Sequence, residues 1–433
     1  MVVCITFGKL NHKYKYILYS AISLLISDFA FGINYHGIFT GVGFVNFINA
    51  KDRNKFNQHY YIHQIFCYIG TFILSKILYK CEVKTTKSVR NSSINSQKES
   101  SSNRAFSFNS NTSSSSGIQL IYKDIDNIYY SHYFVLKLIF LILLWVIEEN
   151  FTEKLNYILK HLDFWMFEFI FLSIFCKKYL QIEIFWHQIL AMLLTIFPCS
   201  LKIVTIILSF SDENKINDDS NSFRREEDGI LEILYVIYPW LILVIFIYLG
   251  MKIMRAYIST QIKWYMDIKY ISVNKLLMFY GLIGTLFYTI ICLITTFVKC
   301  SEKDNILFDY ICETKDAEGN SYFASFKIYY ETILEYTILE IITILLGSIG
   351  FSFYKFYSLM VIKNLSPIHL VFSLPLFYIM RKIVLTISFF VYNDFDKASE
   401  TYQKKYVLDI LEDLLCMFAY FIYLEIIKLN CCN

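Results

Sequence analysis

The sequence predicts an all-α polytopic membrane protein with about ten transmembrane helices, arranged as two inverted five-helix halves. Composition is the first reason: hydrophobic residues make up 56% of the 433 residues, charged residues only 18%, and the mean hydropathy is +0.45. An average soluble domain is about 45–50% apolar and about 25% charged. These values exclude a soluble globule and a disordered chain. The other two reasons are the length of the apolar runs and the charge of the loops between them.

Ten apolar runs have span length or nearly so. A bilayer core of about 30 Å requires roughly 17 to 25 apolar residues per helix. The runs do not alternate with a period of two, so a transmembrane barrel fits them poorly. In chain order, the predicted spans 1 to 10 are Tyr14–Asn34, Tyr60–Tyr79, Tyr129–Ile147, Leu162–Cys176, Ile184–Phe210, Ile230–Ile253, Leu276–Val298, Ile333–Phe353, Ile368–Val391 and Tyr406–Ile427.

The charges of the loops predict an orientation in which both termini are cytosolic. Lys and Arg concentrate in the short cytoplasmic loops of membrane proteins. The segment between spans 6 and 7 is basic, with one acid, Asp267, whereas the loop between spans 5 and 6 is acidic. If the short span 4 were omitted, every later loop would be inverted and the alternation lost. The basic residues assigned to the segment between spans 6 and 7 are Lys252, Arg255, Lys263, Lys269 and Lys275.

The predicted organisation is two halves and a short tail. Residues 1–210 form the N-terminal five-helix half, residues 230–428 the C-terminal half, and residues 429–433 a cytosolic tail. The first half contains a Ser/Asn-rich loop, 84–125, which is too polar to bury a core and is therefore expected to be disordered.

The remaining features exclude several classes of function. No catalytic or nucleotide-binding motif is present, so we expect no enzyme activity and no cofactor. No Cys or His spacing points to a metal, and a net charge of +3 does not favour nucleic acid. Cys300 and Cys312 lie in the loop between spans 7 and 8, on the predicted non-cytosolic side, and form a candidate disulfide. The expected partners are the bilayer and a small-molecule solute, and a homodimer stays open.

Ionisable residues inside the predicted spans are the candidate functional residues. Each one at mid-bilayer costs at least about 2.5–3.5 kcal/mol on insertion scales and usually has a partner or a role. Glu168 in span 4 and Lys202 in span 5 lie far from any interface. Glu168 could line a polar cavity, or it could form a structural pair with Lys202 or Lys137. Arg381 in span 9 is similarly a candidate structural partner for three acids at the start of span 10, Asp409, Glu412 and Asp413.

The four prolines support the division into halves. All of them, Pro198, Pro239, Pro367 and Pro375, lie at or within predicted spans. Two groups of five helices enter the membrane in opposite directions, which is the inverted-repeat architecture of many secondary transporters. In that architecture, short or proline-interrupted spans at matching positions indicate the binding site. Span 4 is the short one, and its counterpart, span 9, contains Pro367 and Pro375.

Three stretches resemble the drug/metabolite transporter superfamily, near its nucleotide-sugar and related solute carriers. They are Lys263–Leu286 with a glycine pair, Asn364–Ser373 at the entry to span 9, and Phe164–Leu201 with Glu168. The resemblance implies a ten-helix carrier that works by alternating access. The substrate-binding residues proposed on this basis are Glu168, Lys202, Pro375, Tyr378, Arg381 and Lys382, with Gly281 and Gly284 as sites of close helix packing.

The function expected from the sequence is therefore a multi-pass carrier of a small organic solute. The main alternative is an orphan membrane receptor or channel subunit without transport activity. A membrane-embedded lipid-modifying enzyme ranks last because its clustered His and Asp motifs are absent. Superposable inverted halves would favour the carrier, whereas a continuous pore between identical subunits would favour the channel. The substrate and the membrane of residence are not defined by the sequence.

The predicted orientation has a direct test at Asn111, which opens an N-x-S triplet in the cytosolic loop between spans 2 and 3. Because glycosylation takes place on the non-cytosolic side, we expect Asn111 to carry no glycan. The measurement is the gel mobility of the protein, expressed in a eukaryotic membrane, before and after endoglycosidase treatment. A shift that disappears in Asn111→Gln would invert the orientation.

Overall fold

The computed structural model describes most of the predicted spans and little of the long polar loops. Apart from two short strand pairs, the ordered elements of the described chain are helices. The described residues are 5–7, 14–35, 60–102, 132–158, 165–195, 197–198, 241–297, 314–315, 321–334, 336, 338–392, 400–425 and 427–429.

Twelve helices and four short strands follow one another along these residues. The helices are α1 Lys15–Tyr35, α2 Tyr60–Ser102, α3 His132–Ile158, α4 Trp165–Leu180, α5 Trp186–Leu194, α6 Leu241–Ile268, α7 Val273–Thr295, α8 Phe326–Ile333, α9 Ile338–Asn364, α10 Pro367–Val371, α11 Ser373–Tyr392 and α12 Glu400–Tyr423. The strands are β1 Ile5–Phe7, β2 Thr314–Lys315, β3 Ser321–Tyr322 and β4 Ile427–Leu429.

Four segments of the described chain are helical, long and apolar enough to cross a membrane. They lie in α2, α7, α9 and α10–α11, as Tyr61–Val83, Val273–Thr295, Ile341–Asn364 and Pro367–Val384. Each has at least 18 residues, the length that a bilayer core requires. The structure is therefore that of a helical protein with apolar, span-length helices, as the sequence predicts. The count of ten spans and the inversion of the halves stay predictions.

Two helices are longer than the sequence predicts. The helix α2 continues to Ser102, so the first part of the loop 84–125 is helical where the sequence predicts disorder. No Gly or Pro lies between residues 84 and 102, and extending an existing helix is far easier than starting one. The helix α6 runs unbroken from Leu241 to Ile268, whereas the predicted span 6 ends at Ile253. Lys252 and Arg255 are therefore part of a helix and not of a loop.

A break at Phe372 separates α10 from α11 in the region predicted as span 9. Pro367 opens α10 at its first turn, where its missing N–H leaves no hydrogen bond unmade. Pro375 is the third residue of α11 and cannot donate to the carbonyl of Val371. The Ser373 hydroxyl donates to the Leu370 carbonyl at 2.7 Å. This bond satisfies a carbonyl at the interruption, as a break within an apolar bundle requires.

Two hydrophobic cores share α6 and α9. One core is built from α2, α3, α6, α7 and α9, and the other from α1, α4, α5, α10 and α12 with single residues of α6 and α9. The eight most extensive helix contacts in the described chain are α1 with α9, α2 with α7, α4 with α6, α2 with α9, α1 with α11, α5 with α12, α3 with α7 and α3 with α6.

Small residues on α9 allow α1 and α2 to approach closely. A Cβ added at Gly350 would lie 2.8 Å from the backbone nitrogen of Ser27 on α1. The Ser20 and Ser358 hydroxyls hydrogen-bond at 3.1 Å across the same contact. On the α2 side, the Thr71 hydroxyl donates to the Ser352 hydroxyl at 3.2 Å. Small residues and interhelical hydrogen bonds are the usual means of packing helices in lipid, where no hydrophobic force drives them together.

The glycine pair of α7 performs the same role against α2. A Cβ at Gly281 would lie 2.6 Å from the Phe72 nitrogen and 2.9 Å from the Tyr68 carbonyl oxygen. A Cβ at Gly284 would overlap the Tyr68 ring. Both positions therefore require glycine at the α2–α7 contact, which is where the sequence analysis placed close helix packing.

The two ends of the described chain pair with each other. β1 and β4 are antiparallel, with Ile5 opposite Leu429, Thr6 opposite Lys428 and Phe7 opposite Ile427. The residues before α1 and those after α12 consequently lie at the same end of the helical bundle.

The glycine contact predicts a large difference between two Gly→Ala substitutions. Gly281→Ala places a methyl group against the backbone of α2, which cannot yield as a side chain can, so we expect a loss of about 1–3 kcal/mol. Gly250→Ala on α6 meets no atom within 4 Å and is the matched control, with a gain of up to about 1 kcal/mol from helix propensity. The measurement is thermal unfolding in detergent micelles. Equal melting temperatures for the two variants would contradict the close packing.

Candidate functional site

Six charged side chains meet where α3, α4, α6 and α9 come together. Four of the six are at most 5% exposed. The cluster contains three carboxylates and three cations, so its formal charges sum to zero. We call this set the central charge cluster: Glu148 and Glu149 on α3, Glu168 on α4, Lys252 and Arg255 on α6, and Lys355 on α9.

Glu168 connects α4 to α6 through two cations. The Arg255 Nε atom lies 3.2 Å from Glu168 Oε1, and the Lys252 Nζ atom lies 3.9 Å from Oε2. Lys252 and Arg255 are three residues apart, a spacing that places them on the same face of α6. The Glu168 Oε2 atom is buried and has no hydrogen-bond partner among the described residues. This carboxylate therefore has an ionic environment but an incomplete set of hydrogen bonds.

Glu149 connects α3 to α9 and α7. Its carboxylate forms an ion pair with Lys355 and accepts a hydrogen bond from the Tyr280 hydroxyl. The Trp145 indole N–H donates to Oε1 at 2.9 Å. Tyr280 in turn approaches the Tyr68 hydroxyl at 3.3 Å. Three different donors thus hold one carboxylate in place at a junction of helices.

Aromatic rings surround the Lys355 ammonium. Its Nζ atom lies 4.9 Å from the ring centre of Tyr354, 5.0 Å from Phe351, 5.6 Å from Tyr280 and 5.8 Å from Trp145. Cations within about 6 Å of a ring centre are attracted by the negative ring face, most strongly when water is excluded. We call these four rings and the Glu149 carboxylate the ammonium cage.

Glu148 is fully buried and has an open acceptor position. The Thr152 hydroxyl donates to its Oε1 atom at 2.7 Å, one helical turn along α3. Its Oε2 atom has no hydrogen-bond partner among the described residues. Arg255 and Glu168 are near enough to interact electrostatically with it. A buried carboxylate oxygen without a donor is costly in an apolar bundle, and such groups in native structures are uncommon enough to require an explanation.

Two further ion pairs connect α11 to its neighbours. The Arg381 Nε atom lies 3.4 Å from Asp28 Oδ2 on α1, and the Lys382 Nζ atom lies 2.6 Å from Asp413 Oδ2 on α12. Among the described side chains Arg381 therefore pairs with Asp28 and not with Glu412 or Asp413, whereas the side chain of Asp409 lies outside the described residues. Arg381 faces α1, and Lys382 faces α12. Both cations, predicted from the sequence to bind the substrate, have carboxylate partners in the structure.

Among the predicted substrate-binding residues that the structure describes, only Glu168 lies in the central charge cluster. The expected pairing of Glu168 with Lys137 is wrong, since Lys137 is exposed and its Nζ atom lies 5.5 Å from the ring centre of Tyr133. Pro375 is buried and Tyr378 half-buried, and both lie on α11 with Arg381 and Lys382. Lys202, Cys300 and Cys312 lie outside the described residues.

Sequence reasoning missed five of the six members of the cluster. Glu148 and Glu149 follow the apolar run that was ended at Ile147, and Lys355 follows the run that was ended at Phe353. Lys252 and Arg255 were assigned to a cytoplasmic loop. The signal that could have identified Lys252, Arg255 and Lys355 is the apolar sequence on both sides of each. Glu148 and Glu149 lack this signal, because polar residues follow them.

The arrangement favours the exchange of ionic and hydrogen-bonded partners over metal binding. Within the described ranges, no three His, Cys, Asp or Glu side chains are grouped in a way that could hold a metal ion. The three carboxylates are instead each in contact with cationic or hydroxyl groups. Such a site can bind a ligand that replaces one of these partners.

Comparison with known proteins adds no relative. No protein-family model matches the chain, and no curated protein matches it either. The class defined by the described residues is a helical protein that has four helical segments long and apolar enough to span a membrane and a largely buried charge cluster.

The buried and exposed ion pairs of α6 provide a matched test of the cluster. Arg255→Leu leaves Glu168 buried without its nearest cation, so we expect a loss of about 3–5 kcal/mol, most of it recovered in Arg255→Leu/Glu168→Leu. The control is Asp267→Asn, which removes the 48% exposed partner of Lys263, leaves the Lys263 hydrogen bond to the Lys363 carbonyl in place, and should cost at most about 1 kcal/mol. Unfolding in detergent micelles measures all three. A double variant as unstable as Arg255→Leu alone would contradict the pairing.

Proposed function

We propose that the chain is a multi-pass membrane carrier that moves a small organic solute by alternating access, with ten spans in two inverted halves. The observation that carries the proposal is an exchange symmetry: the eight most extensive helix contacts map onto one another when the halves are interchanged. The resemblance to the drug/metabolite transporter superfamily points the same way and is itself part of the proposal.

The exchange pairs each helix of the first half with one of the second. In this exchange α1 corresponds to α6, α2 to α7, α3 to α9, α4 to α10–α11 and α5 to α12. The contact of α1 with α9 then becomes that of α6 with α3, α1 with α11 becomes α6 with α4, and α2 with α9 becomes α7 with α3. The contacts of α2 with α7 and of α5 with α12 map onto themselves. All eight of the most extensive helix contacts obey this rule, which favours two equivalent halves.

Two of the ion pairs between helices are equivalent under the same exchange. Asp28 and Arg381 connect α1 to α11, and the equivalent helices α6 and α4 are connected by Arg255 and Glu168. The acid and the base are reversed between the two pairs. Glu149 and Lys355 connect α3 to α9, a pair of helices that maps onto itself. The ammonium cage thus lies where the two halves meet, the position at which carriers with inverted repeats bind their solutes.

Alternating access gives these pairs a mechanical role. One side of a carrier closes as the other opens, because one half rocks against the other around the binding site. The contacts of α1 with α11 and of α4 with α6 are equivalent under the exchange, so each is positioned to close when the other opens. Ion pairs that are partly shielded from water suit this role, because opening brings more water to both charges and so makes the pair easier to break.

The pairing of β1 with β4 is consistent with an even number of crossings. A chain whose two ends meet at one side of the bundle has crossed the bilayer an even number of times. Ten spans satisfy this condition, and nine or eleven do not.

The proposal predicts a transport phenotype for each of the two equivalent pairs. Arg255→Gln and Arg381→Gln should each reduce solute counterflow at least about tenfold, since either loss biases the two-state equilibrium by more than 1.4 kcal/mol. Asp267→Asn, at an exposed carboxylate of α6, should stay within about twofold. The assay is counterflow in proteoliposomes against a library of small organic solutes, with the same preparations checked for folding by size exclusion.

Two outcomes would contradict the carrier. The first is the absence of counterflow for every solute by a correctly folded protein. The second is a continuous ionic current that does not saturate as the concentration of any solute rises and that persists in both variants. Such a current would instead indicate a channel.

A further inference from the structure

The ammonium cage has a composition that binds ammonium ligands, and a side chain of the protein occupies it. Lys355 is 5% exposed, and its ammonium lies against four aromatic rings and the Glu149 carboxylate. Organic ammonium ligands are recognised by the same combination of aromatic faces and a carboxylate. Phe351 and Tyr354 belong to α9 itself, whereas Trp145 and Tyr280 come from α3 and α7. The cage is therefore built by three helices.

We infer that a small zwitterionic solute, with a primary ammonium and a nearby anionic group, binds by inserting between Glu149 and Lys355. The inference rests on the proposed function and names its substrate class. The solute ammonium takes the position of the Lys355 ammonium against Glu149 and the aromatic rings. The anionic group of the solute takes the position of Glu149 against Lys355.

Charge pairing decides between solute classes. A bare cation that displaced Lys355 from Glu149 would leave the lysine charge buried and unpaired, and a bare anion would do the same to Glu149. An unpaired buried charge costs several kcal/mol. A zwitterion exchanges one ion pair for two and leaves no charge alone. It also leaves the net charge of the cluster unchanged, because the cluster and the solute are each neutral overall.

The donors around Glu149 support insertion over simple pairing. The Tyr280 hydroxyl and the Trp145 indole N–H hold the carboxylate independently of Lys355. Glu149 would therefore keep its position when the lysine moves away. Lys355 has a long, flexible side chain with four rotatable bonds, so its ammonium can withdraw while α9 stays in place. The fixed partner is the carboxylate, and the movable one is the lysine.

Three probes that share one side chain test the class of solute. They are L-leucine, a zwitterion, L-leucine methyl ester, a cation, and N-acetyl-L-leucine, an anion. Binding to the wild-type protein is measured by the shift in melting temperature with ligand concentration, and transport by counterflow in proteoliposomes. We expect L-leucine to bind at least about tenfold more tightly than either derivative. Equal affinity for the three probes, tighter binding of a derivative, or no binding of L-leucine would overturn the inference.

Two substitutions should change the preferred probe in opposite directions. Lys355→Met leaves Glu149 without its cation and should favour the methyl ester over L-leucine, because the ester restores one positive charge to the cage. Glu149→Gln leaves Lys355 without its anion and should favour N-acetyl-L-leucine. Lys363→Met, at an exposed position of α9, is the control and should keep the wild-type order of affinities. A purely structural ion pair would lower stability in both variants without reversing the order of probes.

The outcomes separate this inference from the proposed function. If another class of solute shows counterflow and L-leucine neither binds nor exchanges, the carrier stands and the insertion model fails. If L-leucine binds with the expected order of probes and no solute exchanges, the binding site stands and the carrier fails. Should Lys355→Met not fold, Lys355→Arg keeps the cation, and it must retain the wild-type preference for L-leucine.

Discussion

The rest of the structure depends on the requirement that charges in an apolar bundle have partners. Moving an ion out of water costs several kcal/mol even after relaxation, and only an opposite charge at short distance with further hydrogen bonds offsets it. The Glu149 carboxylate meets that requirement with donors from three helices, α3, α7 and α9. Glu168 meets it with two cations of α6. The relative positions of these helices are therefore determined as much by their charges as by their apolar surfaces.

Close packing makes this pairing geometrically feasible. The small residues of α9 and the glycine pair of α7 let helices approach until short hydroxyl and carboxylate side chains can reach one another. Had α7 carried a side chain at Gly281, α2 would stand farther away, and the Tyr68 hydroxyl would no longer reach Tyr280 at the base of the cage. Backbone proximity and buried charge are thus linked: close packing brings the charged and polar partners within reach, and their pairing stabilises the close packing.

The sequence predicts the helices of this fold more reliably than its site, and the cause is physical. Apolar periodicity and length identify helices because a bilayer needs about 20 apolar residues. That same criterion ends a predicted span near a charge, and the ends at Ile147, Ile253 and Phe353 each lie within two residues of a member of the central charge cluster. Pairing partners are set by tertiary contacts, which a single sequence does not encode locally. Glu168 was found because apolar residues surround it on both sides.

The length of α2 has a mechanical consequence. At 1.5 Å per residue its 43 residues extend for about 64 Å, whereas a bilayer with its headgroups is about 40–45 Å thick. In a bilayer of this thickness, about 20 Å of α2 would therefore extend beyond the lipid as a helical arm. Because α2 packs against both α7 and α9, a rotation of one half against the other in the proposed carrier would swing the tip of this arm through a larger arc than the rest of α2. A displacement of a few ångströms inside the bilayer would thus be amplified in the aqueous phase.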